Sequence, residues 1–209
     1  MTTESDHHHD RPHPKQPDIE DQPFDYYQIM VEAVGELLIE KGVFSAADLR
    51  RSLESVDARS PADGARLVAR AWLDPAFKAR ALADGNAAAA ELGIDAGAIP
   101  IRIVENTEQV HNVICCTLCS CYPRLLLGLP PDWYKARAYR SRIVREPRSV
   151  LREFGTEVAD HVEVRVHDST ADLRYMVLPR RPAGTDDLSE EELAALVTRD
   201  CMIGTAIPG

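Results

Sequence analysis

Four of the five cysteines in this chain crowd into one short run, Cys115-Cys116-Thr117-Leu118-Cys119-Ser120-Cys121, and that crowding restricts what the chain can build more than any other feature. A disulfide framework spreads its cysteines so that bridges close loops, so this run suits a metal or redox site instead, with Cys201 the outlier. If Cys116, Cys119 and Cys121 are ligands, three thiolates face one ion only when the backbone curls around it. The curl also brings the intervening amides close to the ion. A zinc site usually takes four side-chain ligands, commonly two from each of two separated elements. No second half is visible here, because Cys201 is a lone distant residue and His111, His161 and His167 have no paired spacing. An ion wanting more ligands must take backbone nitrogen or solvent. Such a sulfur and amide-nitrogen set does not favour magnesium or calcium; it suits a transition metal in a high oxidation state. An open position would make that ion a Lewis acid. On spacing alone, a partial zinc knuckle, an iron–sulfur half-site and a thiol redox loop stand beside this reading.

The rest of the chain divides by pattern into three parts. Residues 1–23 carry His7-His8-His9, His13 and interspersed prolines with no apolar face, and read as a disordered arm. That arm is a low-complexity tail, or in its functional reading a weak metal-collecting tract. Residues 24–99 read as a helical region. Ile29, Val31, Val34, Leu37, Leu38 and Ile39 form a stripe that Gly42 ends, and Ser45 opens a second helix. Pro61 opens a third, and Asp74-Pro75 a further segment running past Gly85 to Leu92.

Residues 100–209 read as an α+β domain that carries the cysteines at a strand end, where a scaffold holds loops. Strands are expected at Ile101–Val104, Val113–Ile114, Val162–Val166, Leu173–Leu178 and Cys201–Ile203. Helices are expected from Pro147 to Phe154 and from Ser189, with Glu192 as its capping-box partner.

A net charge of -10 argues against a nucleic-acid binder, since no basic run can neutralise a row of phosphates. The longest apolar stretch, Leu125-Leu126-Leu127-Gly128-Leu129, is too short to span a bilayer, and residues 1–20 hold no secretory apolar region. The expected compartment is the cytoplasm, with no membrane and no nucleic acid as partner.

The flanks of the cysteine run sharpen the reading. Residues 113–121 closely resemble the alpha subunit of the nitrile hydratases, whose signature is V-C-T-L-C-S-C or V-C-S-L-C-S-C. The resemblance extends to Val68–Pro75, Val104–Glu108, Leu127–Tyr134, Val144–Arg148, Arg174–Pro179, Arg181–Thr185 and Val197–Asp200, covering the chain in order from about Phe24 to its end. It implies that family's α+β fold, a helical N-terminal region followed by a mixed domain of layered sheets flanked by helices. It also implies Cys116 as an axial thiolate, Cys119 and Cys121 as ligands oxidised to sulfinate and sulfenate, and the amides of Ser120 and Cys121 as further ligands. Thr117 resembles the cobalt-type members, which implies trivalent, low-spin, non-corrin cobalt; iron-type members carry Ser there.

The implied reaction is hydration of a small nitrile to its amide, with water or the Cys121 sulfenate as attacking group. The implied partners are a beta-type subunit, as one chain or two split chains in a hetero-oligomer, and a metal-delivering activator protein. Arg174 resembles a family arginine that supports the site, with a structural salt bridge as the plainer reading.

Three departures stand out. Cys115 replaces the usual Val and reads as a small buried hydrophobe, or more sharply as an extra oxidisable thiol. Asn112 occupies a position often held by His, and Arg124 one where nitrile hydratases commonly place an aromatic residue. The related thiocyanate hydrolases carry Cys-Tyr-Pro-Arg there in their gamma subunit. Arg124 therefore bears on substrate, and a gamma-type subunit of thiocyanate hydrolase is the alternative. A non-catalytic zinc- or metal-carrying subunit is the second alternative. Asp160, Asp168 and the acidic run 186–192 read as solvated charges, His161 and His167 as polar-face residues, and Trp133 and Tyr134 as packing or interface.

Overall fold

The computed structural model describes residues 26–209; the His-rich arm of residues 1–23 lies outside the described residues. The chain forms two compact units, the first ending at Ala46 and the second running from Ala47 to Gly209. In the first unit, helix α1 (Tyr26–Glu40) buries none of its residues; of its apolar stripe Ile29, Val31, Val34 and Leu37 are exposed and Leu38 and Ile39 half-buried. It ends as expected at Gly42, whose φ of 67° lets Gly42 and Val43 bond back to Ile39 and Leu38.

The second unit opens with α2 (Ala46–Asp57), which buries no residue. Helix α3 (Ala62–Leu73) is the structural centre, burying Gly64, Ala65, Leu67, Val68, Ala69 and Ala71. Its small residues allow close approach; a Cβ on Gly64 would stand 2.7 Å from both Leu127 Cδ2 and Met202 Sδ. The long segment expected from Asp74 to Leu92 is instead two helices, α4 (Pro75–Ala83) and α5 (Gly85–Glu91). Asp84 divides them. Its backbone is extended and its carboxylate accepts the Ala87 N–H, as Asp74 does for Ala76 and Phe77 at the start of α4. Each aspartate competes for backbone donors that a continuous helix would use internally.

Four strands follow the expected code. Strand β1 (Ile101–Glu105) pairs in parallel with β4 (Arg174–Leu178), and β2 (Val110–Cys115) pairs in parallel with β3 (Glu163–Asp168). Parallel partners need long crossovers, and here helices supply them. Four lie between β2 and β3: α6 (Arg124–Leu127), α7 (Asp132–Lys135), α8 (Arg137–Ile143) and α9 (Pro147–Glu153). On β3 the valines of the alternating stretch, Val164 and Val166, turn inward while Glu163 and Arg165 stay exposed. Helix α10 (Glu190–Ala195) begins with the expected capping box between Ser189 and Glu192 and packs on α3.

The segment expected as a final strand, Cys201-Met202-Ile203, is helical, within α11 (Arg199–Ile203). Thr198 caps it by accepting the Cys201 N–H, and Gly204, at φ 94°, ends it. Its three apolar residues are all buried, so the segment shows neither a period of two nor one of 3.6. The fold is α+β, with both strand pairs packed among helices. Among the described residues no helix is long and apolar enough to cross a membrane.

Candidate metal centre

Strand β2 carries the cysteines from the core to the surface. Val113, Ile114 and Cys115 are fully buried and Cys116 is 1% exposed, whereas Leu118 at the tip of the following loop is 86% exposed. Three bonds hold the loop's base. The Ser169 N–H donates to Cys115 O (2.8 Å), Tyr139 Oη donates to Ile114 O (2.7 Å), and Tyr134 Oη donates to Cys121 O (3.0 Å). Pro123 then closes the turn as α6 begins, with Leu126 and Leu127 bonding back to its carbonyl. An edge-to-face cluster of Tyr122, Tyr134, Trp133, Tyr139 and Phe154 backs the loop, so Trp133 and Tyr134 pack as expected.

Within that frame the sulfurs of Cys116, Cys119 and Cys121 all lie within 4.8 Å of one another. Cys116 Sγ and Cys119 Sγ are 3.6 Å apart, and Cys119 Sγ and Cys121 Sγ 3.2 Å. The Cys119 N–H donates to Cys116 Sγ (3.3 Å). Cys119 is held below the usual thiol range, first by the hydrogen bond from Cys121 and also by the backbone N–H groups of Cys121 and Ser120. Burial and the same shared proton push Cys121 the other way, while the Arg174 charge pulls it back. Between these two sulfurs the surroundings favour the negative charge on Cys119. Three thiols this close together are a soft donor set that fits a transition metal.

The claw forms part of a cavity of about 400 Å³, lined by Cys119, Ser120 and Cys121 with Tyr122, Arg124 and Arg174. Ile99, Ile101, Leu125, Leu129 and Pro130 supply apolar wall, and among the described residues the lining contains no carboxylate. Asn86 positions that wall by donating to Gly97 O (2.9 Å) and accepting the Ile101 N–H (2.7 Å). Arg124 is exposed, and among the described residues its guanidinium has no hydrogen-bond or ion-pair partner. Arg174 opens β4 opposite Ile101; its Nη1 is buried and unpartnered, and no salt bridge engages it among the described residues. An unpaired buried donor is costly, so its setting in the claw's cavity is informative.

The remaining residues sort clearly. Cys115 lies outside the sulfur cluster, and burial pushes its thiol up to about 12, which is the behaviour of a buried hydrophobe. Cys201 is buried on α11, beside Thr198 Oγ1 at 3.1 Å. Asn112 donates to Glu105 O and Asn106 Oδ1 and contacts His167 Nε2 at 2.8 Å, so both belong to a polar link between the strand pairs rather than to the claw. His167 is therefore half-buried rather than on an open polar face.

Asp168 does more than expected. Its carboxylate, exposed as expected, also accepts both the Thr117 N–H (2.9 Å, at Oδ1) and the Thr117 hydroxyl (2.6 Å, at Oδ2), so it is a partner of the claw loop as well as a solvated charge. Sequence spacing could not show this, since the residues are 51 apart and meet only through the β2–β3 register, Cys115 opposite Asp168. Thr117 itself lies at the loop's exposed side, bound to Asp168.

Comparison with known proteins places the chain in a family. Residues 25–206 match the family model described as nitrile hydratase, alpha chain. The chain is 52% identical over 179 residues to the cobalt-containing nitrile hydratase subunit alpha of Pseudonocardia thermophila, covering 83% of this chain and 87% of that one. It is 44% identical over 194 residues to the thiocyanate hydrolase subunit gamma of Thiobacillus thioparus, covering 87% and 80% respectively. Among solved structures, a double mutant of an Fe-type nitrile hydratase from Comamonas testosteroni superposes with a TM-score of 0.81 at 44% identity, covering 87% of this chain and 90% of that one.

Proposed function

Because the chain belongs to the nitrile hydratase alpha-chain family, we propose that it is the metal-carrying alpha subunit of a cobalt nitrile hydratase, hydrating a nitrile to the corresponding amide. The observation that carries the reading is the claw itself: three sulfurs within 4.8 Å of one another, with a partly apolar cavity of about 400 Å³ opening onto Cys119 and Cys121. Cys116, Cys119 and Cys121 with the amides of Ser120 and Cys121 would hold the ion, Cys119 and Cys121 as sulfinate and sulfenate. Bound there, trivalent cobalt supplies Lewis acidity that makes a nitrile carbon electrophilic toward water or the Cys121 sulfenate oxygen.

The chain's own residues do the rest. Ile99, Ile101, Leu125 and Leu129 exclude water around an alkyl or aryl group. The unpartnered Arg174 Nη1–H is available to an oxygen carried on Cys121, whose ionisation the Arg174 charge already favours. Tyr134 anchors the Cys121 carbonyl and so orients that sulfur from behind. Residues 24–99 form the helical part and residues 100–209 the metal-carrying part. A beta-type subunit completes the pocket, in the cytoplasm, after an activator protein has delivered the metal.

A second reading rests on Arg124. Among the described residues two cations and no carboxylate line the cavity and Arg124 has no partner, an arrangement that holds an anion such as thiocyanate. The chain coexpressed with its beta-type partner tests both. Turnover of nitriles is expected; turnover of thiocyanate alone overturns the first reading in favour of a gamma-type subunit of thiocyanate hydrolase. Metal analysis with mass spectrometry of the 113–124 peptide decides the chemistry. Cobalt with two and one added oxygens on Cys119 and Cys121 supports it, iron corrects the metal, and zinc with unoxidised thiols means a non-catalytic carrier.

A further inference from the structure

We propose that Asp168 is a positioning residue, a latch that holds the claw loop closed through Thr117 before and after metal enters; in its metal arm this rests on the cobalt reading above. The loop leaves β2 at Cys115 and must reverse tightly enough to bring three sulfurs together. Its outer half is open to solvent, since Thr117, Leu118, Cys119 and Ser120 are all exposed. What holds it is polar. Asp168, the last residue of β3, takes the Thr117 N–H on one carboxylate oxygen and the Thr117 hydroxyl on the other. From the opposite side Arg140 on α8 donates to Thr117 O (3.3 Å), while its Nε is fixed on Lys135 O (2.9 Å). The peptide between the first and second metal-binding cysteines is therefore gripped at its N–H, its hydroxyl and its carbonyl.

This grip bears on metal affinity because a loop already held in its binding shape loses less conformational freedom when the ion arrives. Groups that orient ligands from outside the coordination shell typically change metal affinity 10–100-fold. It also gives Thr117 a role that does not depend on touching the metal. The hydroxyl is engaged by Asp168, and a serine at this position offers the same hydroxyl. The latch accordingly predicts that Thr117→Ser keeps the site as it is, while Thr117→Val, similar in volume but without the hydroxyl, loosens it. Asn is the informative replacement at 168. Its carbonyl can accept the Thr117 N–H while its amide donates to the Thr117 oxygen, which preserves both contacts with one reversed.

The test uses the full chain and two readouts. Loaded with cobalt and challenged with excess chelator, Asp168→Ala and Thr117→Val should release metal about tenfold faster than the unaltered chain, at the lower end of that range because the contact is exposed. Thr117→Ser should match the unaltered chain, and Asp168→Asn should recover most of the loss. In the metal-free chain, hydrogen exchange at the Thr117 amide should be slow and should accelerate in Asp168→Ala, with the thermal midpoint little changed. Equal chelator release and equal exchange in Asp168→Ala overturn the latch, as does a Thr117→Ser chain that behaves like Thr117→Val. If the unaltered chain takes up no cobalt even when coexpressed with its beta-type partner and activator, the metal reading fails instead, and amide exchange alone decides the latch.

Discussion

Strand β2 and the loop that follows it are neighbours in sequence and opposites in physics. Val113, Ile114 and Cys115 are fully buried and are held by packing on β3, β4 and α11. From Thr117 to Ser120 every residue is exposed, and position depends on a few polar bonds. The difference separates two jobs that a metal site must combine. The strand makes the claw's base immovable at the cost of chemical inertness: burial holds the Cys115 thiol at about 12, out of the range where it would compete as a ligand. The loop keeps its sulfurs reactive at the cost of rigidity, and Cys119, the least buried of the three, is the one whose charge its neighbours favour.

If that division is real, substitutions in the loop should change metal content and leave stability alone, and substitutions in the strand should do the reverse. The largest effect is expected for Cys119→Ala: complete loss of bound metal by elemental analysis, with the metal-free chain's unfolding free energy within about 0.5 kcal/mol. A large stability loss there would merge the two regions into one. Ile114→Ala should destabilise by about 2–5 kcal/mol in denaturant titration, yet the folded fraction should bind metal at unchanged stoichiometry. Cys115→Ala should cost about 1 kcal/mol with full metal content, and any loss of metal would restore Cys115 as a ligand.

The smallest effect concerns pH. Burial lowers the His111 pKa, with the ring held on Gly204 O at 2.7 Å, so the folded chain resists a proton that the unfolded chain accepts. Stability on the strand side should therefore be level above the unfolded histidine value near about 6.5 and fall as pH drops below it. Thermal midpoints between about pH 7 and pH 5 check the direction, and His111→Asn should flatten the slope.

Much of this was legible in residue order. Cysteine spacing marked the three sulfurs that the fold brings together, the valines of β3 marked the inward face, and Ser189 with Glu192 marked a helix start that the structure reproduces. What spacing missed has a common cause. Asp168 and Asn86 act on the claw or its cavity through partners 51 and 15 positions away, Thr117 and Ile101, one meeting set by the β2–β3 register and the other by the packing of α5 on β1 rather than by local pattern. The two errors in secondary structure were local instead. Asp84 breaks a run of alanines that propensity alone would carry through, and Cys201-Met202-Ile203 is too short and too uniformly buried to show a period.

The pairing of Cys115 with Asp168 has a consequence in time as well as in space. A chain made from its N-terminus exposes Cys116, Cys119 and Cys121 well before Asp168 exists. At typical synthesis rates the 51 residues between Thr117 and Asp168 take roughly 3–10 s. During that interval the three thiols are a flexible chelator with no shape of their own, open to whichever soft ion or oxidant arrives first. The register that later closes the claw thus also sets how long it stays indiscriminate.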